Sequence, residues 1–441
     1  MTGDGSQPSF PEAPAPIPER RSAANTARRT VLGTGYGLAC VAAAVVLIVS
    51  GFSYLGVRKI SDIGSSHAIV SGPSIGAQNI LLMGLESRTY WNGTILPPKI
   101  LAKLHAGSAQ AVADGTGGND TNTLILIHIF AGGKKAVGFS IPRDDWVNFA
   151  ATIGPQQVGK IDQAYGVSMF FREQQVVTHH PDMSRNRVAF LGNEAGQAAA
   201  VATVEQLTGV HIDHFAAVNL YGFYELAKVL GGINVCLNHA VDDPYSGAHF
   251  PAGYQHLNAQ QTLAFVRQRH GLPNGDLDRT HRQQAFLDSV LLQLHQDGVL
   301  DDLTKIQAML TVAANYVITD AGWNLFDFAS EMRSLTSAHL TFYTLPITGY
   351  ETIDGQDANA VNPAALKTIV HNAFYPPASS ASRRASSRRR HSASSGASDL
   401  SAFAASTAAS PTPSPTPSSV IPTSGPQGGP VSGVDGVPCV N

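Results

Sequence analysis

Charge is scarce in this sequence. Of its 441 residues only 14% are Asp, Glu, Lys or Arg, against about a quarter in an ordinary globular domain. The net charge is −3, so no basic field exists to hold nucleic acid by its phosphates, and nucleic acid is excluded as a partner. Cysteine is rarer, at 3. No Cys-x-x-Cys pair and no Cys/His ligand spacing occurs, which removes an ordinary zinc site. Cys40 lies in an apolar run. Cys236 and Cys439 are either a disulfide pair in an oxidising compartment or two unrelated thiols. No Gly-rich phosphate loop ending in Lys-Ser/Thr is present. The 16 histidines form no metal-ligand pattern, and His179-His180 sits in a polar segment.

What is abundant is apolar and small. The 43% hydrophobic content is ample for a sizeable core. Residues 1–30 lack a hydrophobic period and read as a disordered cytoplasmic tail. From Val31 to Val57 no charge occurs, a length sufficient for a helix to cross the ~30 Å hydrocarbon layer. Arg20, Arg21, Arg28 and Arg29 precede this run, against Arg58 and Lys59 after it. That excess predicts a single-pass anchor in the cell membrane with a cytoplasmic N-terminus and everything beyond it extracytoplasmic. At the other end, residues 376–441 are rich in Ala, Ser and Pro, with a basic cluster from Arg383 to Arg390. This composition predicts a disordered tail, with Val437–Val440 apolar enough to dock back on the domain.

Between these ends, residues 77–375 read as one α/β domain. Asn79–Gly84 is a short apolar run that marks a buried strand. Thr123–Phe130 and Lys135–Ile141 are two more strands, joined through Ala131-Gly132-Gly133. Segments 198–207, 222–230 and 283–294 have helical composition, and 233–237 and 338–345 read as strands. Strands interleaved with helices, plus one close hairpin, predict a mixed central β-sheet sandwiched by helices.

The sparse charge is concentrated. Arg267, Arg269, Asp276, Asp278, Arg279, Arg282, Gln283 and Gln284 crowd into one stretch. An extended Val266–Arg269 would put Arg267 and Arg269 on one face. A helix opened by Asp276 or Asp278 as cap would align Arg279, Arg282, Gln283 and Phe286. Two rows of guanidinium donors near a helix N-terminus suit a di-anion such as a pyrophosphate. If the two hairpin strands pair, Asp120 at the start of one lies beside Asp144 at the end of the other. Two such carboxylates suit Mg²⁺, which takes few carboxylates and completes its shell with substrate oxygens. Arg143 beside them would neutralise a phosphoryl group in transfer. Arg88 adds a cation at the same sheet edge, and Lys160 is a further phosphate contact or a surface lysine.

Taken in order, these segments resemble the LytR-CpsA-Psr family of cell-wall glycopolymer ligases. The resemblance rests on residues 79–88 (NILLMGLESR), 119–129 (NDTNTLILIHI), 139–147 (FSIPRDDWV), 160–165 (KIDQAY), 204–213, 222–237, 253–270 and 275–284. It covers residues 77–295 and fades beyond. It implies a Mg²⁺-assisted phosphotransferase on the outer membrane face, with an apolar slot for a prenyl chain. Such an enzyme moves the phosphoglycosyl end of a polyprenyl-pyrophosphate-linked glycan onto peptidoglycan. The resemblance further implies that Asp120 and Asp144 hold Mg²⁺. Arg88, Arg143, Arg267, Arg269, Arg279 and Gln283 would grip the pyrophosphate, with Arg143 also acting at the reacting centre, and Asp276 would orient these groups or act near the acceptor hydroxyl. Glu86 departs from the family's Asp, and the Gly/Ala-rich segment 90–118 is a loop over the site or an insertion. A carrier that binds lipid-linked intermediates without transfer, and a hydrolase that uses water as acceptor, would share the cation-lined site.

Overall fold

The computed structural model describes residues 65–68, 76–113, 118–336, 339–376, 433–434 and 437–441. The expected tail and anchor over residues 1–57, and most of the 376–441 tail, lie outside them. Among the described residues no helix is long and apolar enough to cross a membrane.

The centre is a seven-stranded mixed sheet. Its strands lie in the order Ser65–Ser66, Val317–Asp320, His214–Asn219, Gln78–Leu85, Thr123–Ile129, Ala136–Ile141 and Leu340–Thr344. The expected hairpin forms, with Leu124 opposite Ile141 and Ile129 opposite Ala136. Its turn places Gly132 at φ 87° and Gly133 at φ 66°, a region that only glycine enters cheaply. The Gln78 strand pairs antiparallel with the Thr123 strand and parallel with the His214 strand.

Strand side chains alternate between faces, and both faces here are buried. Leu81, Met83, Leu126 and Phe139 meet the helices Arg185–Thr208 and Pro363–Phe374 through Val201, Val204, Leu366 and Phe374. Ile80, Ile129 and Ala136 meet Met332, Leu335 and Leu291 of the opposite layer. The sheet therefore lies between helices, as expected. Residues 171–197 belong to a helical hairpin of Gln163–His179 and Arg185–Thr208. Gly196 lies so close to the Tyr165 ring that a Cβ there would stand 2.7 Å away, which lets the two helices pack tightly.

A second core sits beside the sheet. It joins Leu96, Leu101 and Leu104 to Leu220, Tyr224, Ile233, Leu263, Phe265 and Val440. Segment 90–113 is thus packed structure, with a helix at Pro98–Lys103, rather than a free loop. Burying leucines of this size stabilises by about 1.5–3 kcal/mol each, enough to fix a segment whose Gly and Ala content suggested mobility.

Three expectations need correction here. Val266 and Arg267 are not extended; they end a helix, Ala259–Arg267. Asn258 and Gln261 form a reciprocal capping box at its start, and Leu263, Ala264 and Phe265 are buried by it. Neither Asp276 nor Asp278 caps the next helix, Asp276–Gln296; Gly275 does, with φ 53°. Both acids lie in its first turn, where the helix dipole favours them. The tail, finally, is ordered at its far end. Val437–Val440 adds a parallel strand to Ile233–Leu237, and Cys439 is disulfide-bonded to Cys236.

Candidate active site

One cleft opens at the ends of the Gln78 and His214 strands, with a volume of about 300 Å³. Its apolar lining is Leu85, Val218, Leu220, Phe223, Leu263 and Val266. Its rim is cationic: Arg267, Arg269 and Arg279, with Gln283 beside them. The helix ending at Arg267 and the helix beginning at Asp276 converge here, so two separated stretches of sequence deliver one row of guanidinium groups. Arg282, expected on the same side, turns away. It donates to the Gln268 carboxamide and the Asn441 carbonyl and lies over the Phe265 ring at 5.0 Å.

The rim is ordered by carboxylates. Glu86 accepts from Arg267 at 2.6 Å and pairs with Arg88 at 3.4 Å. Burial acts to raise the Glu86 carboxyl, but Arg267 and Arg88 outweigh it and hold it below its ordinary value. Arg88 also donates to the Ala106 carbonyl, so it braces the 90–113 segment and reaches the cleft only through Glu86. Arg279 donates to the Asn122 carbonyl at 2.9 Å and stands 2.8 Å from Asp276. Burial lowers the Arg279 guanidinium to about 10, which leaves it charged at neutral pH.

Behind the rim lies the second half of the site. Arg143 Nε is 3.4 Å from Asp144 and 3.3 Å from Asp276, and Arg143 Nη1 is 3.7 Å from Asp162. The same guanidinium donates to the Asn122 side chain at 2.6 Å. Asp276 Oδ1 is shared by Arg143, Arg269 and Arg279, yet no contact there meets hydrogen-bond geometry. Charge rather than directed bonding holds that cluster. Lys160 is 2.9 Å from Asp144. Burial tends to raise the Asp144 carboxyl, and Arg143 with Lys160 overcomes it and keeps it below the usual range.

Asp120 is different. It packs against Gly166, where a Cβ would come within 3.3 Å of its carboxylate. Burial raises its carboxyl, Arg143 opposes this, and Glu86 adds to it. Asp162 is pushed up to about 7, first by burial against the opposing Arg143, then by Asp120 and Asp144. Its Oδ1 is buried without a hydrogen-bond partner. Asp145, next to Asp144, is wholly buried and tied to Asn359 at 3.0 Å; burial raises its carboxyl well above the usual value. It anchors the turn and leaves Asp144 facing Arg143.

Apart from Arg282, the residues expected to hold metal, pyrophosphate or the reacting phosphoryl group fall in one connected region, though not in one role. Arg267, Arg269, Arg279 and Gln283 face the cleft. Arg143, Asp276, Asp144, Lys160 and Asp120 form the charged floor beside it, and Arg88 is a brace. Asn122 and Asp162 also belong to this region and carry no signal of their own in the sequence. They lie within the segments 119–129 and 160–165, and only the folded geometry shows that Asn122 touches Arg143, Arg279 and Glu86.

Residues 58–373 match the model of the LytR_cpsA_psr family. The chain belongs to that family. It is 33% identical over 353 residues to cell wall biosynthesis protein LcpA of Corynebacterium glutamicum, covering 78% of this chain and 64% of that protein. It is 26% identical over 249 residues to TagU of Oceanobacillus iheyensis, a polyisoprenyl-teichoic acid–peptidoglycan teichoic acid transferase, covering 55% of this chain and 68% of that one. Among solved structures, protein gbs0355 of Streptococcus agalactiae shares 19% identity over 69% of this chain and 89% of that chain, with a TM-score of 0.49.

Proposed function

We propose that this family member is a membrane-anchored phosphotransferase that moves a glycopolymer from a polyprenyl pyrophosphate donor onto peptidoglycan. One observation carries the reading. One cleft is lined both by apolar side chains, among them Leu220, Phe223, Leu263 and Val266, and by the guanidinium groups of Arg267, Arg269 and Arg279. A prenyl pyrophosphate joins the same two chemistries in one molecule. The names of LcpA and TagU support a cell-wall role, and the uncharged run 31–57 supports attachment of the chain to the membrane from which such a donor is drawn.

The chain's residues divide the work. Arg267, Arg269, Arg279 and Gln283 bind and orient the pyrophosphate. Arg143 stands ready to neutralise charge on the phosphoryl group, which is most of what a loose phosphoryl-transfer transition state requires. Asp276 fixes Arg143, Arg269 and Arg279 relative to one another, and Lys160 steadies Asp144.

Mg²⁺ fits the carboxylate side. Among the described residues no salt bridge neutralises Asp120, and burial holds its carboxyl up. No group of three or more His, Cys, Asp or Glu there is arranged as a complete ligand set. A cation held by Asp120 and Asp144 would complete its shell with donor phosphate oxygens and water, as Mg²⁺ prefers. When bound it supplies Lewis-acid stabilisation of phosphate charge.

The test uses the purified full chain with a synthetic prenyl-pyrophosphate sugar and peptidoglycan fragments. The reading predicts a covalent sugar–peptidoglycan adduct that requires Mg²⁺, disappears with EDTA and is lost in Arg143→Ala. Donor binding without adduct would replace the transferase with a carrier. Prenyl phosphate and free sugar phosphate without adduct would replace it with a hydrolase.

A further inference from the structure

The cleft has one feature that pyrophosphate chemistry does not use. At its mouth, a tight turn between the strands Val241–Asp243 and Ala248–Phe250 presents Tyr245 with 73% of its surface exposed. The ring lies 4.4 Å from His270, tilted by 40°. Tyr245 and His270 both line the cleft beside Arg269 and Arg279.

The turn is built to hold that ring in place. Asp243 is buried, and its carboxylate accepts from the Tyr245 amide at 3.0 Å and the Ser246 hydroxyl at 2.7 Å. The Gly247 amide closes the turn onto the Asp243 carbonyl at 3.0 Å. Gly247 has φ 77°, and the His105 ring packs where its Cβ would stand. An aromatic ring fixed on a supported turn and left in solvent forgoes the stabilisation that burial would give. Such a ring is poised to be covered by something else.

Geometry limits what covers it. The apolar wall of the cleft suits the prenyl chain, and the arginines suit the two phosphates. The sugar is joined directly to the outer phosphate, so it must leave the cleft at the rim, where Tyr245 and His270 stand. The face of a pyranose ring is a layer of weakly positive C–H groups, and the face of an aromatic ring is negative.

We propose that Tyr245 and His270 form a stacking platform for the first sugar of the donor, and that they set which sugars are accepted. This rests on the prenyl-pyrophosphate reading of the same cleft. The platform adds nothing to the grip on the lipid or on the phosphates.

Two probes separate these contributions: a short prenyl pyrophosphate, and the same molecule carrying one N-acetylhexosamine. Binding of each is titrated to the full chain and to Tyr245→Ala and Tyr245→Phe. The platform predicts that Tyr245→Ala weakens the sugar-bearing probe by roughly three- to tenfold, the scale of one aromatic stacking contact. The sugar-free probe should change by less than twofold, and Tyr245→Phe should restore the loss. Equal weakening of both probes, or no change in either, overturns the platform while leaving the donor reading intact. Failure of the unaltered protein to bind either probe overturns the donor reading, and the platform with it.

Discussion

Reduction of the Cys236–Cys439 disulfide should destabilise the domain by an amount that the fold lets one work out. The two cysteines are 203 residues apart in sequence. Cross-linking a loop of that length restricts the unfolded chain by about 5 kcal/mol in the chain-entropy relation. The bond also holds the Val437–Val440 strand on Ile233–Leu237 and keeps the Asn441 carbonyl over Arg282. Freeing that strand would deprive a buried guanidinium of an acceptor, a further cost of about 1–3 kcal/mol. With an unfolding entropy near 2.1 cal/mol/K per residue over roughly 320 residues, about 5 kcal/mol corresponds to a fall in Tm of roughly 7 °C. The assay is thermal melting by circular dichroism, with and without a reductant. A Cys236→Ala/Cys439→Ala protein should melt near the reduced form and ignore the reductant. Identical melting of the oxidised and reduced proteins would refute both the loop-closure argument and the docking of the tail.

Other outcomes follow from single contacts. Arg279→Ala removes the guanidinium bonded to Asn122 and paired with Asp276. Inorganic pyrophosphate affinity, measured by calorimetric titration, should fall by about 10- to 100-fold, the value of a charged hydrogen bond, and Arg279→Lys should not restore it. Asn258→Ala breaks the capping box before Arg267 and should cost about 0.5–2 kcal/mol in a denaturant titration; an unchanged midpoint would mean that the cap is not what sets this helix start. Asp288 is pushed up to about 7 by burial, from 3.8. A carboxyl raised in the folded state keeps its proton longer there than in the unfolded chain. Stability therefore falls as pH rises from about 4 to about 7 and is level beyond. Asp288→Asn should flatten that slope and be the more stable protein at pH 8, as read from Tm against pH.

The legible parts of the fold were those fixed by local pattern. Two apolar runs, Thr123–Ile129 and Ala136–Ile141, with two glycines between them are enough to specify a hairpin, and the hairpin brings the Asp120 and Asp144 segments together. Val266–Arg269 shows the limit of such reasoning. Its alternation suits a strand, but a cap at Asn258 and burial of Phe265 in a remote core make it a helix end. Both conformations deliver Arg267 and Arg269 to the same place, so the chemistry was readable where the backbone was not. Val437–Val440 is too short to signal a strand alone, and its pairing depends on a partner two hundred residues away. Asn122 and Asp162 were hidden for another reason. Their residue types are ordinary at strand ends and turns, and only contact with Arg143 gives them a role.

The account stands on the cleft and its rim being one site for one ligand. The direct measurement is calorimetric titration of the full chain with three molecules: a short prenyl pyrophosphate, the matching prenyl alcohol and inorganic pyrophosphate. The account predicts that the prenyl pyrophosphate binds far more tightly than either half, and that Arg279→Ala weakens it together with inorganic pyrophosphate. Equal affinity for prenyl pyrophosphate and inorganic pyrophosphate would mean that the apolar wall holds no prenyl chain, and would contradict the account.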